Sequence, residues 1–393
     1  MIDLIKDELN RKSIFIDDSK LSIEFVPEKL VYREDEFKQI TQVFIPLIKS
    51  SSFSPKNVLI TGNNGSGKTA ISKLFGFYFE KISKHFNKNI KYKHINCRLK
   101  KSNYNIIKTI IRAFKSNFPE KGFSLYELVS TLKEILDKGN VHLLLTLDEI
   151  NFLNFKEDNL IYILNRLNDD DFGNEGRISI IGIVKNLSFI KDLDLSTLSS
   201  FQYNIVPLSP YSSAQIYGIL KFRASLALRR DGFTDEILKF IAELTSKSGD
   251  MRYALEILHK AGLYADQNNL DKLTPECIRY AQANVFENLD FYSLDSISKH
   301  EKLVLLSICR SLRKNNSISV KLEDFKQSYL CINEELNDIP LKKSQLYNIL
   351  NRLKNLEYIS IKSPQSKKRG NQSTISINNV PVQVLEKKIT DLL

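Results

Sequence analysis

Val58-Leu59-Ile60-Thr61-Gly62-Asn63-Asn64-Gly65-Ser66-Gly67-Lys68-Thr69 is the stretch on which the fold turns. A β-branched run passes without a linker into a glycine-rich octapeptide, Gly62 to Thr69, and amphipathic sequence follows. Strand, loop and helix in that order are what a phosphate-cradling loop requires. Its glycines let backbone N–H groups turn toward phosphate oxygens without a Cβ clash, and the following helix aims its positive dipole end at them. Asn63, Asn64, Gly65, Ser66 and Gly67 are therefore expected to line the phosphates of ATP or ADP, Lys68 to reach the β- and γ-phosphates, and the Thr69 hydroxyl to ligate Mg²⁺.

Outward from this loop, further short apolar runs alternate with helical patterns: Ile90 to Asn96, Val141 to Leu147, Ile178 to Val184 and Phe201 to Val206. That alternation predicts a parallel α/β sheet covered by helices. The third run ends in Asp148-Glu149. Two carboxylates at a strand end also describe a solvated loop. Downstream of a complete phosphate loop, Asp148 is expected to hold Mg²⁺ and Glu149 to polarise the attacking water. Asn186 closes the Ile178 to Val184 run, where an amide could orient that water, and Arg252 opens a helix from which a guanidinium could contact phosphate. Taken singly, these two equally describe a loop amide and a surface arginine.

Beyond Pro207 and Pro210 the strand pattern stops, and Ser212 to about Glu287 carries only helical periodicity. From Leu303 it changes again: a helix bearing Leu305, Ile308 and Leu312, a second from Leu322 to Leu336, and a third capped by Ser344 with Leu346, Ile349, Leu350 and Leu353 on one face. The strands Tyr358 to Lys362 and Ser373 to Asn378 complete a winged helix. The domain boundaries are set at 1–20 for an N-terminal arm, 21–208 for the nucleotide-binding domain, 209–290 for a helical lid and 291–393 for the winged helix.

The third helix of a winged helix usually enters the major groove. Its polar face shows Gln345, Asn348, Asn351 and Arg352, with Lys342 and Lys343 just before it; amides suit adenine edges and the cations suit guanine or phosphate. The hairpin turn Lys367-Lys368-Arg369-Gly370 places three charges where glycine allows close approach to a sugar–phosphate backbone. Of the formal net charge of +11, the stretch from His300 to Leu393 holds +7, with 16 basic against 9 acidic residues. Such a surplus is either a nucleic-acid footprint or a solvated surface.

Hydrophobic residues at 42% and charged residues at 26% describe a soluble globular chain. Cys97, Cys277, Cys309 and Cys331 have no paired spacing, which argues against zinc and disulfides and predicts reduced core residues. The charged N-terminus reads as neither signal nor anchor, so no membrane partner is expected and the location is cytoplasmic, on the nucleoid.

In order and wording these segments resemble the archaeal origin-recognition and cell-division-control family of replication initiators, which are AAA+ ATPases. The resemblance runs from about Phe25: Val26-Pro27-Glu28-Lys29-Leu30 into Arg33-Glu34, both nucleotide motifs, Val184-Lys185-Asn186 (sensor 1), Pro210-Tyr211-Ser212 with Arg223-Ala224, and Gly249-Asp250-Met251-Arg252 (sensor 2). It implies an ATP pocket with contacts from Tyr211 and Arg223 and γ-phosphate sensing by Arg252. It also implies binding of double-stranded origin DNA, the replicative helicase as a partner, and a helical DNA-binding insertion near Phe118 to Ser124; slow regulatory hydrolysis and a second initiator paralogue as partner are expected from a departure at the arginine-finger position. Where the family's trans-acting arginine finger aligns, the chain has Ser196, which cannot neutralise a neighbour's γ-phosphate. A regulatory P-loop ATPase with its winged helix used for transcription control or protein docking is the alternative.

Overall fold

In the computed structural model, which describes residues 12–50, 52, 54–100, 102–153, 159–167, 176–185, 201, 204–246, 248–285, 294, 297–315, 317–355, 358–362, 373–377 and 382–393, five parallel strands form one sheet. These are β1 (Val58–Gly62), β2 (Ile90–Asn96), β3 (His142–Asp148), β4 (Ile178–Val184) and β5 (Ile205–Leu208), in spatial order β2-β3-β4-β1-β5. Every residue of β3 and β4 is buried, as a strand covered by helices on both faces must be. Period two divides their side chains between two cores. Leu143, Leu145 and Leu147 pack with Ile106, Ile110, Leu128 and Leu132 of α3 (Asn103–Phe114) and α4 (Leu125–Lys138). Leu144, Ile181 and Ile183 pack with Phe44 and Phe75 of α1 (Glu34–Lys49) and α2 (Lys68–His85). Each such leucine or phenylalanine contributes about 1.5–3 kcal/mol by burial.

Two local readings change. The fifth strand is Ile205–Leu208 and contains Pro207, rather than ending before it; β5 is a sheet edge, where a missing N–H interrupts no ladder. Phe201 instead lies in a turn, accepting from the Asn204 N–H, with its ring buried in the core. The region expected to hold a helical insertion, Phe118 to Ser124, is a non-helical loop joining α3 to α4. Its rings Phe118 and Phe123 stack at 4.8 Å, and Arg112 donates to the Phe118 carbonyl at 3.0 and 3.1 Å. The helical addition between β2 and β3 is the α3–α4 hairpin itself; α5 (Leu160–Arg166) follows β3.

The chain's contacts group Val26–Tyr211 with Ser248–Met251 as one compact unit and the remainder as a second. The second unit contains the lid helices α6 (Ser213–Ala227), α7 (Asp235–Thr245), α8 (Met251–Gln267) and α9 (Pro275–Val285). Ser212 and Gln215 form a capping box that starts α6, and Thr234 caps α7. The arm from Lys12 onward is part of this unit rather than a free extension. Ile14 and Leu21 are buried, Phe15 bridges to Leu228, and the Ile14 N–H donates to Asp266 at 2.8 Å.

The winged helix comprises α10 (Lys299–Lys314), β6 (Val320–Lys321), α11 (Leu322–Glu335), α12 (Lys343–Asn355), β7 (Ser360–Lys362), β8 (Thr374–Ser376) and α13 (Val382–Asp391). β8 lies between β6 and β7, with Ile361 opposite Ile375. The sequence pattern shows neither the strand β6 nor the helix α13; in β6, two residues are too few for periodicity to register. Helix α12 starts at Lys343, so Ser344 lies inside the first turn rather than capping it. The start is held by the Gln345 amide oxygen, which accepts from the Lys342 N–H at 3.1 Å. Cys97, Cys277 and Cys309 are buried as expected, but Cys331 is exposed, because the inward stripe of α11 runs through Phe325, Tyr329 and Ile332.

Candidate functional site: the phosphate loop and the polar face of the third winged-helix helix

At the carboxyl end of β1 the chain leaves the sheet through Gly62 and turns at Gly65 and Gly67, whose φ values are 69° and 96°. This left-handed region suits glycine. The space is also closed to a side chain: a Cβ on Gly65 would stand 1.7 Å from Asp250 Oδ1, and one on Gly67 would stand 2.7 Å from the Tyr211 hydroxyl. Helix α2 begins immediately at Lys68, so its N-terminal amides open onto the loop. The Lys68 ammonium donates to the carbonyl oxygens of Gly62 at 2.7 Å and Asn63 at 2.8 Å, which places it over the loop. The Met251 N–H approaches the Gly65 carbonyl at 3.4 Å.

Below the loop, the first turn of α2 meets the ends of β2 and β3. The Thr69 hydroxyl donates to Asp148 Oδ2 at 2.7 Å, and His94 Nε2 donates to the same oxygen at 3.2 Å. Burial, the largest single influence on Asp148, favours the neutral acid. Hydrogen bonds from His94 and Thr69 outweigh it, and the carboxyl is held below its ordinary value. An ionised carboxylate 2.7 Å from the hydroxyl that follows the loop lysine is the donor set that Mg²⁺ takes beside a nucleotide, so the residues present fit that group. Glu149, next in sequence, adopts left-handed backbone at φ 55°, ψ 47°. A non-glycine residue held there is strained, a feature that clusters at functional sites. Its carboxylate accepts from Asn96 Nδ2 at 3.3 Å.

Sequence reading missed His94 and Asn96. Their signal was present, since polar residues two apart at the end of β2 share one face of the strand. Only the β2–β3 register, with Asn96 opposite Asp148, shows which face. The resemblance includes Arg33 without giving it a role. Its side chain is buried, and Nε donates to the Ser66 carbonyl and to the Tyr211 hydroxyl, each at 3.1 Å. Nη2 donates to the Ser209 carbonyl at 2.6 Å and Nη1 to Glu36 at 2.8 Å. Arg33 and Tyr211, stacked with the guanidinium carbon 4.1 Å from the ring centroid, thus buttress the loop from behind.

The remaining expected residues lie away from these strand ends or outside the described residues. Arg223 lies in the second unit, where its guanidinium donates to the carbonyls of Lys20 at 2.5 Å, Ser22 at 2.8 Å and Phe25 at 3.5 Å. Burial lowers its pKa to about 10. This arginine is bonded to the arm. Arg252 is an exposed residue in the first turn of α8. Asn186, the Asp194 to Leu198 stretch with Ser196, and Lys367, Lys368, Arg369 and Gly370 lie outside the described residues.

On α12, Leu346, Leu350 and Leu353 are buried in the winged-helix core. Lys342, Lys343, Gln345, Asn348, Asn351 and Arg352 are exposed. Arg352 also pairs through Nε with buried Glu301 at 3.0 Å, which fixes its root. Among the described residues no helix is long and apolar enough to cross a membrane.

Three family models match successive parts of the chain: an AAA domain over residues 51–187, a Cdc6 AAA+ ATPase-type lid domain over 217–283, and a CDC6 C-terminal winged helix domain over 293–387. The ORC1-type DNA replication protein 2 of Saccharolobus solfataricus is 30% identical over 400 residues, spanning 100% of this chain and 96% of the relative. The crystal structure of Cdc6p from Pyrobaculum aerophilum superposes with a TM-score of 0.81 at 26% identity, covering 97% of this chain and 98% of that one. The Aeropyrum pernix ORC1 protein, solved in complex with DNA, shares the fold with a TM-score of 0.63 at 24% identity over 97% of this chain and 100% of that one. An AAA+ sheet domain, a Cdc6-type lid and a Cdc6-type winged helix, joined in this order and matched end to end, make the chain a member of the archaeal ORC1-type DNA replication protein family.

Proposed function

We propose that the chain is an ATP-regulated replication initiator that binds duplex origin DNA through its winged helix and uses slow hydrolysis as a switch. The observation that carries this reading is the exposed polar face of α12, opposite its buried leucines, in a chain that also holds a complete phosphate loop with Thr69 and Asp148 2.7 Å apart.

In this reading the loop amides from Asn63 to Gly67 and the Lys68 ammonium bind the phosphates of ATP. Thr69 and Asp148 would hold Mg²⁺, which when bound neutralises charge on the phosphate oxygens. Glu149 accepts a proton from the attacking water, Asn186 orients that water, and Arg252 reports on the γ-phosphate. An arginine finger is worth about 10³ to 10⁵ in rate, so with Ser196 in that position the chain gives a neighbour little stimulation. It works beside a second initiator paralogue in recruiting the replicative helicase. Lys342, Lys343 and the hairpin cations Lys367, Lys368 and Arg369 bind phosphate, while Gln345, Asn348 and Arg352 face base edges. Asn348 is the freest of these for readout, since Gln345 also caps the helix and Arg352 also holds Glu301.

Footprinting and anisotropy titrations on origin and unrelated duplexes test the proposal. Protection on origin DNA is expected, with affinity falling as salt rises, and with Lys367→Ala/Lys368→Ala/Arg369→Ala weakening every duplex alike. No protection, together with an unaffected triple variant, would leave a regulatory ATPase with a protein-docking winged helix as the better reading.

A further inference from the structure

Glu301 stands in the first turn of α10 with only 2% of its side chain exposed. One carboxylate oxygen has a local use. Ser298 and Glu301 form the capping box that starts α10, and Oε2 accepts from the Ser298 N–H at 2.6 Å and from its hydroxyl at 2.8 Å. The other oxygen has a distant partner: Oε1 lies 3.0 Å from Nε of Arg352 on α12. The Arg352 side chain is 65% exposed, so its root meets a buried carboxylate while most of it faces water. Gln345, Asn348 and Arg352 follow one another at spacings of three and four residues, which puts them on one face of α12.

The cap alone does not account for a charge in this place, because glutamine completes a capping box as well as glutamate does. A carboxylate leaves water at a cost that only a partner offsets. Arg352 is that partner, and the pair changes what the guanidinium can bind. Phosphate is drawn by net charge, which the pair largely cancels. Guanine O6 and N7 instead require two parallel donors held in register, and Nη1 and Nη2 remain for them while Nε is engaged. The pair also restricts in advance the rotamers that a long side chain would otherwise lose on binding. We infer that Glu301 is a positioning residue that makes Arg352 a reader of guanine in the major groove rather than a phosphate contact. The inference rests on the reading of α12 as the helix that enters DNA.

The full chain, wild type or carrying Glu301→Gln or Arg352→Lys, is used to select duplexes from a randomised library, and each protein is then titrated against selected and unselected duplexes over a range of salt. Glutamine keeps the cap without the charge, and lysine keeps the charge without the fork. Wild type is expected to prefer guanine at one position by about 10- to 100-fold, and both variants to lose that preference at the same position. Glu301→Gln should also bind unselected duplexes about 2- to 3-fold more tightly, with a salt slope steeper by up to about 1, because the arginine's charge is released to phosphate. Damage to the fold would weaken both classes of duplex, so that result would overturn the inference, as would loss of amide-exchange protection across α10 and α12 in Glu301→Gln. An unchanged guanine preference in either variant, or a wild-type selection with no fixed guanine, would overturn it while leaving DNA binding intact. If wild type binds no duplex at all, the reading of α12 fails and the inference falls with it.

Discussion

Replacing Arg33 by alanine tests whether the phosphate loop is held from behind. The substitution deletes donors to the Ser66 carbonyl, the Tyr211 hydroxyl, the Ser209 carbonyl and the Glu36 carboxylate. Hydrogen bonds to a charged donor contribute about 1.5–3 kcal/mol each, and removing one partner of a buried pair costs about 3–5 kcal/mol. Water can resolvate Glu36, whose side chain is 18% exposed, but the arginine side chain is only 4% exposed, so its other acceptors lose their partner in a dry site. The sum is set near the lower bound, at about 4 kcal/mol. For a unit of this size, about 2–4 °C of melting temperature per kcal/mol gives a drop of about 8–16 °C in thermal unfolding. The same carbonyl fixes the Ser66 peptide, so Mg-ATP affinity by calorimetry should fall by about 10- to 100-fold, since misdirected loop amides no longer converge on phosphate. Arg33→Lys should recover less than half of each effect, because one ammonium cannot span these acceptors. A melting temperature within about 2 °C of wild type, with unchanged nucleotide affinity, would refute the buttress.

Glu149→Gln should retain Mg-ATP binding while turnover falls by about 10²- to 10⁴-fold; equal rates in a single-turnover assay would remove Glu149 from the hydrolytic step. His142 is wholly buried, with Nε2 2.9 Å from the Ser179 hydroxyl, and burial pushes its pKa down to about 3. Protons then bind the unfolded chain first. Its contribution is full above the unfolded pKa of about 6.5 and is lost as pH falls toward 3, at about 1.4 kcal/mol per pH unit. Between pH 6.5 and 5 wild type should lose about 2 kcal/mol more than His142→Asn in denaturant titrations, and parallel pH profiles would count against a neutral buried imidazole. Arg223→Ala removes donors to three arm carbonyls, which should destabilise the lid by about 3 kcal/mol and accelerate amide exchange across residues 12–25; unaltered exchange there would show that the arm does not depend on this arginine.

The parts of the site that were legible are those encoded in contiguous sequence. Gly62 to Thr69 and Asp148-Glu149 each pair a strand end with the residues that follow it, so chain order alone places them at one end of a parallel sheet. The parts that were not legible depend on elements distant in sequence. Asn96 meets Glu149 only because β2 and β3 are neighbours in one register. Arg33 meets Ser66 and Tyr211 only when α1, the loop and the segment after β5 are brought together. Arg223 is a further case: its guanidinium is bonded to carbonyls some two hundred residues away.

The amino-acid sequence by itself determined the sheet, lid and winged helix, because hydrophobic period and loop chemistry are local properties that survive without knowledge of neighbours. It also determined the phosphate loop, since a strand running into glycines, lysine and threonine is a self-contained device. Tertiary structure decided which polar side chains stand around that device and where each arginine goes. Arg33, Arg223 and Arg279 stand in unlike sequence surroundings, Tyr32-Arg33-Glu34, Phe222-Arg223-Ala224 and Ile278-Arg279-Tyr280, yet each is buried against carbonyls of a different distant segment. A guanidinium leaves water only where acceptors wait in the right geometry, and packing alone supplies those acceptors.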